Sequence, residues 1–190
     1  MNVNTKPIII IAGASGVGKT TIIIELLADK NLKLKRVKTS TIRPPRPGAQ
    51  VTDRHFLTRE DFETKIKKNE FLEHAVVFNN LCGVQKTDFE KVYNSENIPI
   101  FDVDIQGVRT LKNKLVDYPL LTFFIIYDSK ESIKKRLLEN PERRSNLDER
   151  VQKIATEEKI GKNLCKYAIE NRQGKIEFAV NKIKDIISSR

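Results

Sequence analysis

Gly13-Ala14-Ser15-Gly16-Val17-Gly18-Lys19-Thr20-Thr21 contains the spacing GxxxxGKT, a set of residue types that can hold the phosphates of a nucleotide. Glycines at 13, 16 and 18 allow turn conformations closed to other residues, so that backbone N–H groups can converge on phosphate oxygens. Lys19 would then reach the outer phosphates, and the Thr20 hydroxyl would hold Mg2+. A turn that merely joined a strand to a helix would need neither side chain. The chemistry implied is the handling of a nucleoside triphosphate, with ATP and Mg2+ as its ordinary form.

A second group of residues bears on what receives a phosphate. Arg43 and Arg46 lie on one proline-framed loop, Arg43-Pro44-Pro45-Arg46-Pro47-Gly48, and two guanidiniums held in this way suit an anionic phosphate or phosphomonoester; a basic surface loop is the alternative. Three carboxylates stand in or just after apolar runs: Glu73 in Phe71-Leu72-Glu73-His74, and Asp102 and Asp104 in Phe101-Asp102-Val103-Asp104. A carboxylate there is costly unless paired, hydrogen-bonded or near a cation. Asp102 follows Ile98-Pro99-Ile100-Phe101, as does the acid that orders Mg2+ in P-loop enzymes. The structural alternative for Asp104 is the N-cap of a helix.

The elements that must position these groups alternate. Strands are expected at Ile8 to Ala12, Leu34 to Lys38, His55 to Leu57, Phe71 to Phe78, Ile98 to Val103, Leu121 to Tyr127 and Tyr167 to Glu170. Helices are expected at Lys19 to Leu27, Arg59 to Lys68 with Thr58 as cap, Lys86 to Tyr93, Val108 to Lys114, Ser129 to Glu139, Leu147 to about Cys165, and Ile176 to Ile187. The loop from Thr39 to Gly48, with three prolines, reads as irregular, and 140–146 as a break. Strands alternating with helices predict an α/β fold with a parallel sheet and ligands at the strands' carboxyl ends. The stretch from Arg36 to Tyr93 departs from the rhythm and suggests a small lobe over that edge.

Composition bounds the rest. A chain of 190 residues suits a single domain, and 39% apolar with 32% charged residues suits a soluble globular one. Neither a membrane span nor a secretory signal is visible, so a cytoplasmic location is expected. Cys82 and Cys165 lack metal or disulfide spacing. The net charge of +10 raises nucleic acid as a partner, but Lys65, Lys67 and Lys68 share a segment with Glu60, Asp61 and Glu63, and no aromatic residues are interleaved to stack bases. Small-molecule substrates are expected instead, in a monomer or a dimer.

GASGVGKTT, TSTIRPPRPG, RHFLTREDF, NEFLEHAVVF, Gly83, FDVDIQG and the late YAIEN occur in the order and spacing of guanylate kinases, and the chain resembles that family over nearly its whole length. The resemblance implies a P-loop NTPase three-layer fold with a parallel central sheet: a core of residues 1–35 and 94–190, a lobe of about 36–93 that binds the nucleoside monophosphate, and a short lid of about 140–147. It implies Mg2+-assisted transfer of phosphate from ATP to GMP, and to dGMP. Gly13 through Thr21 would hold ATP, with Asn171 at the adenine; Thr20 and Asp102 would hold the metal. Arg43 and Arg46 would bind the GMP phosphate, with Glu73, Asp104 and Thr39 on the base. Lys19, Arg43, Arg150 and one of Arg143 and Arg144, with Arg144 preferred, would neutralise the migrating phosphoryl group.

Four positions depart from the family pattern. Arg54 and Cys82 stand where tyrosines are usual, Val84 where a Ser or Thr contacts guanine, and Ala49 where a Glu is usual. Arg54 can replace a phenol as a phosphate donor, whereas Cys82 and Val84 cannot supply what they displace. A different nucleoside monophosphate or phosphomonoester acceptor therefore stays open. Two further readings are a binding module without catalysis, disfavoured by the intact Lys19, Thr20, Arg43 and Asp102, and a nucleic-acid-dependent ATPase.

Overall fold

The computed structural model describes residues 6–45, 53–77, 79–139 and 147–189, excepting the side chains at 130 and 148–150. Its centre is β1 (Ile8–Gly13), whose four isoleucines are fully buried. An unbroken apolar run is what a strand covered on both faces requires. Ile9 and Ile11 enter one apolar cluster, and Ile8, Ile10 and Ala12 enter another. Each buried isoleucine contributes roughly 1.5–3 kcal/mol.

β7 (Ile98–Val103) and β8 (Leu120–Tyr127) flank β1, with β2 (Leu34–Arg36) outside β7 and β9 (Tyr167–Asn171) outside β8. All four pairings are parallel. Ile11 lies beside Asp102 and Ala12 beside Val103, so β7 ends level with the glycine loop. On one face α1 (Lys19–Ala28), α5 (Lys130–Glu139) and α7 (Ile176–Ser188) supply Ile22, Ile133 and Ile183 to the first cluster; on the other α3 (Lys86–Tyr93) and α4 (Ile105–Lys114) supply Phe89 and Val108 to the second. The result is a three-layer α/β fold. α6 (Leu147–Leu164) touches both clusters, through Ile154 and Leu164. It lies so close to β8 that a Cβ on Gly161 would meet the Phe124 ring at 2.2 Å.

A second sheet has the order β4-β3-β6-β5, from β4 (Arg54–Phe56), β3 (Thr39–Thr41), β6 (Asn80–Gln85) and β5 (Phe71–Val77). α2 (Arg59–Lys67) covers it by stacking Phe62 on Phe71, centroids 4.3 Å apart. As expected, the Thr58 hydroxyl caps α2, accepting from the Asp61 N–H at 3.1 Å. Residues 37–38 lead from the central sheet into the second.

The sequence reading missed two strands. Thr39–Thr41 was expected to be irregular, but the prolines lie beyond it, and the segment pairs with both β4 and β6. β6 carries no apolar alternation and includes Gly83, where a Cβ would stand 2.6 Å from the Glu73 carbonyl oxygen; close pairing with β5 excludes a side chain there. α4 starts at Ile105, three residues earlier than expected, because the Asp104 carboxylate accepts from the Gly107 N–H at 2.9 Å and caps it. Of the expected lid at about 140–147, residues 140–146, with Arg143 and Arg144, lie outside the described residues, as do Arg46 and Ala49; Arg150 is placed only as the fourth residue of α6.

Candidate active site

Parallel strands deliver their carboxyl ends to one edge of the sheet, and there β1 breaks into the glycine loop. Gly16 and Gly18 adopt φ of 92° and 95°, which side chains disfavour. α1 begins at Lys19 with Gly18 as its cap residue, so the helix's free N–H groups face the loop. Lys19 Nζ donates to the carbonyls of Gly13 at 2.6 Å and Ala14 at 3.1 Å. Ser15, Thr20 and Thr21 border a cavity of about 620 Å³. Ala14 and Val17 are buried and can offer only their backbone.

Asn171, expected at an adenine site, does not line this cavity. Its Nδ2 donates to the Val17 carbonyl at 2.7 Å, and Arg136 reaches the Asn171 carbonyl at 3.1 Å and that of Val17 at 3.5 Å. The pair braces the loop from behind. Arg136 escapes sequence reading because nothing marks it among the charges of α5.

The same cavity extends to the second sheet. Thr39, Thr41 and Cys82 line it, and Arg43 and Arg54 border it from the loop after β3 and the start of β4. Thr41 Oγ1 and Cys82 Sγ share a hydrogen bond of 3.3 Å. Both guanidiniums lie near enough to Cys82 to draw its thiol pKa down, although burial prevails and raises it. Thr39 Oγ1 is buried without a protein partner.

Glu73 is 5% exposed on β5 and faces the cavity near Asp104. Burial, and then the Asp104 charge, push its pKa up to about 8, against Lys114 and a hydrogen bond from the Val84 backbone N–H. Burial therefore favours the protonated form of Glu73 near neutral pH. Asp104 caps α4 and also borders the cavity.

Asp102 reaches the cavity from the end of β7, and Arg36 Nη2 donates to its Oδ2 at 2.5 Å. α6 adds Lys153 and Glu157, one turn apart, which the sequence reading did not single out. Burial raises the Glu157 pKa, while Lys153 and Lys19 pull it down and Asp104 raises it. One cavity thus joins the lysine of a phosphate loop, two arginines and a buried carboxyl group.

A family profile described as guanylate kinase matches residues 4–190. The chain belongs to the guanylate kinase family. A guanylate kinase of Mesomycoplasma hyopneumoniae is 36% identical over 194 residues, covering 99% of this chain and 97% of its own. One from Clostridium tetani is 35% identical over 96% of this chain and 85% of its own. The crystal structure of guanylate kinase from Anaplasma phagocytophilum superposes with a TM-score of 0.77 over 97% of this chain and 86% of that one; at 22% identity it shows the shared fold.

Two of this guanylate kinase's departures from the family pattern lie in the cavity wall, Arg54 and Cys82. Val84 does not. Its side chain is fully buried in the second apolar cluster with Val37 and Leu72, and only its N–H serves Glu73. Continuing the β3–β6 register beyond Ser40 and Gly83 sets Val84 opposite Thr39.

Proposed function

We propose that this protein transfers the γ-phosphoryl group of ATP to GMP, and to dGMP, giving ADP and the nucleoside diphosphate. The observation that carries the reading is the single cavity in which Lys19 and the glycine loop face Arg43, Arg54 and Glu73. In this reading the central sheet is the ATP-binding core and the second sheet, about 36–93, the acceptor lobe. Residues 140–147 form the lid that brings Arg144 or Arg143, with Arg150, to the phosphates. Arg46 joins Arg43 on the acceptor phosphate.

An acceptor phosphate oxygen is already a nucleophile. It attacks the γ-phosphorus as the bond to the β–γ bridging oxygen breaks, and ADP leaves with that electron pair. Positioning and charge neutralisation therefore carry most of the rate. Lys19 and the loop N–H groups hold the donor; Arg43 and Arg54 hold the acceptor in line. An ionised Glu73 accepts from guanine N1–H and the 2-amino group, a donor pair that adenine lacks. Thr20 and Asp102 both line the cavity and offer the oxygen ligands that Mg2+ takes alongside phosphate oxygens and water, so the residues present fit the ion. Mg2+ supplies charge neutralisation on the ATP phosphates. A cytoplasmic site of action accords with nucleotide substrates of both kinds.

The test is ADP release with GMP, dGMP, AMP, CMP, UMP and dTMP as acceptors, run beside Cys82→Tyr. Guanine nucleotides should exceed the others by at least a hundredfold in kcat/KM, and Cys82→Tyr should lower KM for GMP. Preference for any other base would overturn the role given to Glu73.

A further inference from the structure

Arg36 ends β2 and belongs to no motif. Its side chain is 8% exposed. Burying a guanidinium costs several kcal/mol unless partners compensate. Nη2 meets Asp102 Oδ2 at 2.5 Å, Nη1 stands 3.6 Å from Asp53 Oδ2, and Nε is buried without a partner. Arg36 lies beside Ile100 in the parallel ladder, so Asp102 is two residues further toward the cavity on the neighbouring strand. Asp53 immediately precedes Arg54, which pairs with Thr39 in the second sheet and borders the cavity. One guanidinium thus ties the end of a core strand to the residue ahead of β4.

A bridge needed only for stability would be met as well by apolar side chains, which often equal or exceed a buried ion pair. An apolar residue cannot fix the orientation of a carboxylate. A lysine offers a single point charge, whereas the planar fork addresses two carboxylates at once. We propose that Arg36 is a positioning residue for phosphoryl transfer: it orients Asp102 on the donor side and, through Asp53, the strand that presents Arg54 to the acceptor. This rests on the kinase reading of the cavity.

The experiment is steady-state kinetics with ATP, Mg2+ and GMP on the wild type, R36M, R36K, D53N, D102N and R36M/D102N, each checked by thermal melting. R36M should lower kcat about tenfold and raise KM for GMP; R36K should recover kcat better than KM; D53N should raise KM for GMP with little change in kcat. On the D102N background R36M should cost no further kcat, because it acts through that carboxylate, while KM for GMP still rises. If R36M does not fold, having left Asp102 unpaired, the comparison of D102N with R36M/D102N carries the test. A further tenfold loss of kcat there, or an R36M enzyme with both constants unchanged, overturns the proposal while leaving the function intact. A wild type that releases no ADP with any nucleoside monophosphate overturns both.

Discussion

Glu73 is held in a state that its proposed ligand must change. Its pKa of about 8 in the folded protein exceeds the ordinary 4.5, so the folded state keeps a proton that the unfolded chain releases. That contribution to stability is complete below pH 4.5 and is lost as pH rises through 8. Glu73→Gln should flatten this decline and raise Tm by several degrees at pH 8, while kcat/KM for GMP falls at least a hundredfold; melting curves and the acceptor panel check both. Because guanine needs the carboxylate, GMP binding should release a proton at pH 7 and tighten as pH rises toward 8. Calorimetry in two buffers of different ionisation enthalpy reads that release, and identical heats would refute it. Lys19→Ala should lower kcat a hundredfold or more, whereas Arg43→Ala should chiefly raise KM for the acceptor.

Two elements are placed by contacts that admit no side chain. A Cβ on Gly18 would stand 2.4 Å from Asn171 Nδ2, in a conformation already at φ 95°. Gly18→Ala should therefore displace the Asn171 brace and weaken ATP binding at least tenfold, measured by titration. Gly161→Ala would drive α6 away from Phe124, taking Lys153 and Glu157 with it; a stability loss of about 1–3 kcal/mol in urea unfolding, with reduced kcat, is expected. Such constraints explain what was legible beforehand. The phosphate loop, the caps at Thr58 and Asp104 and the apolar strands were readable because their chemistry is local in sequence. Arg36 meets Asp102 across 66 positions, and Asn171 meets Val17 across 154, through strand register alone. β3 and β6 escaped notice because short polar strands are specified by their neighbours. Val84 was read from the family pattern as a lost guanine contact; that its side chain packs with Val37 and Leu72 depends on which face of β6 meets the core, which sequence alone does not tell.

Across the whole molecule, one cavity spans two sheets that share the second apolar cluster, where Leu72 and Val84 of the second sheet pack with Ile8 and Ile10 of β1. A ligand touching only one sheet stabilises that part, whereas a pair touching both should stabilise the assembly. Each ligand at a hundred times its Kd contributes about 2.7 kcal/mol. ATP analogue and GMP together should raise Tm by more than the sum of their separate shifts, as positive coupling across the cavity requires. Strict additivity in thermal melting would count against the shared site. Among the described residues no helix is long and apolar enough to cross a membrane.

The hydrogen bonds from Lys19 to the Gly13 and Ala14 carbonyls have a consequence for competition in the cell. An incoming anion must replace interactions the ammonium already has, and only the surplus appears as affinity. Orthophosphate offers one small headgroup for that exchange. In the proposed kinase a polyphosphate would engage the lysine while its other phosphates collected the loop's N–H groups. On that proposal the loop would discriminate against abundant free phosphate and respond to the longer donor.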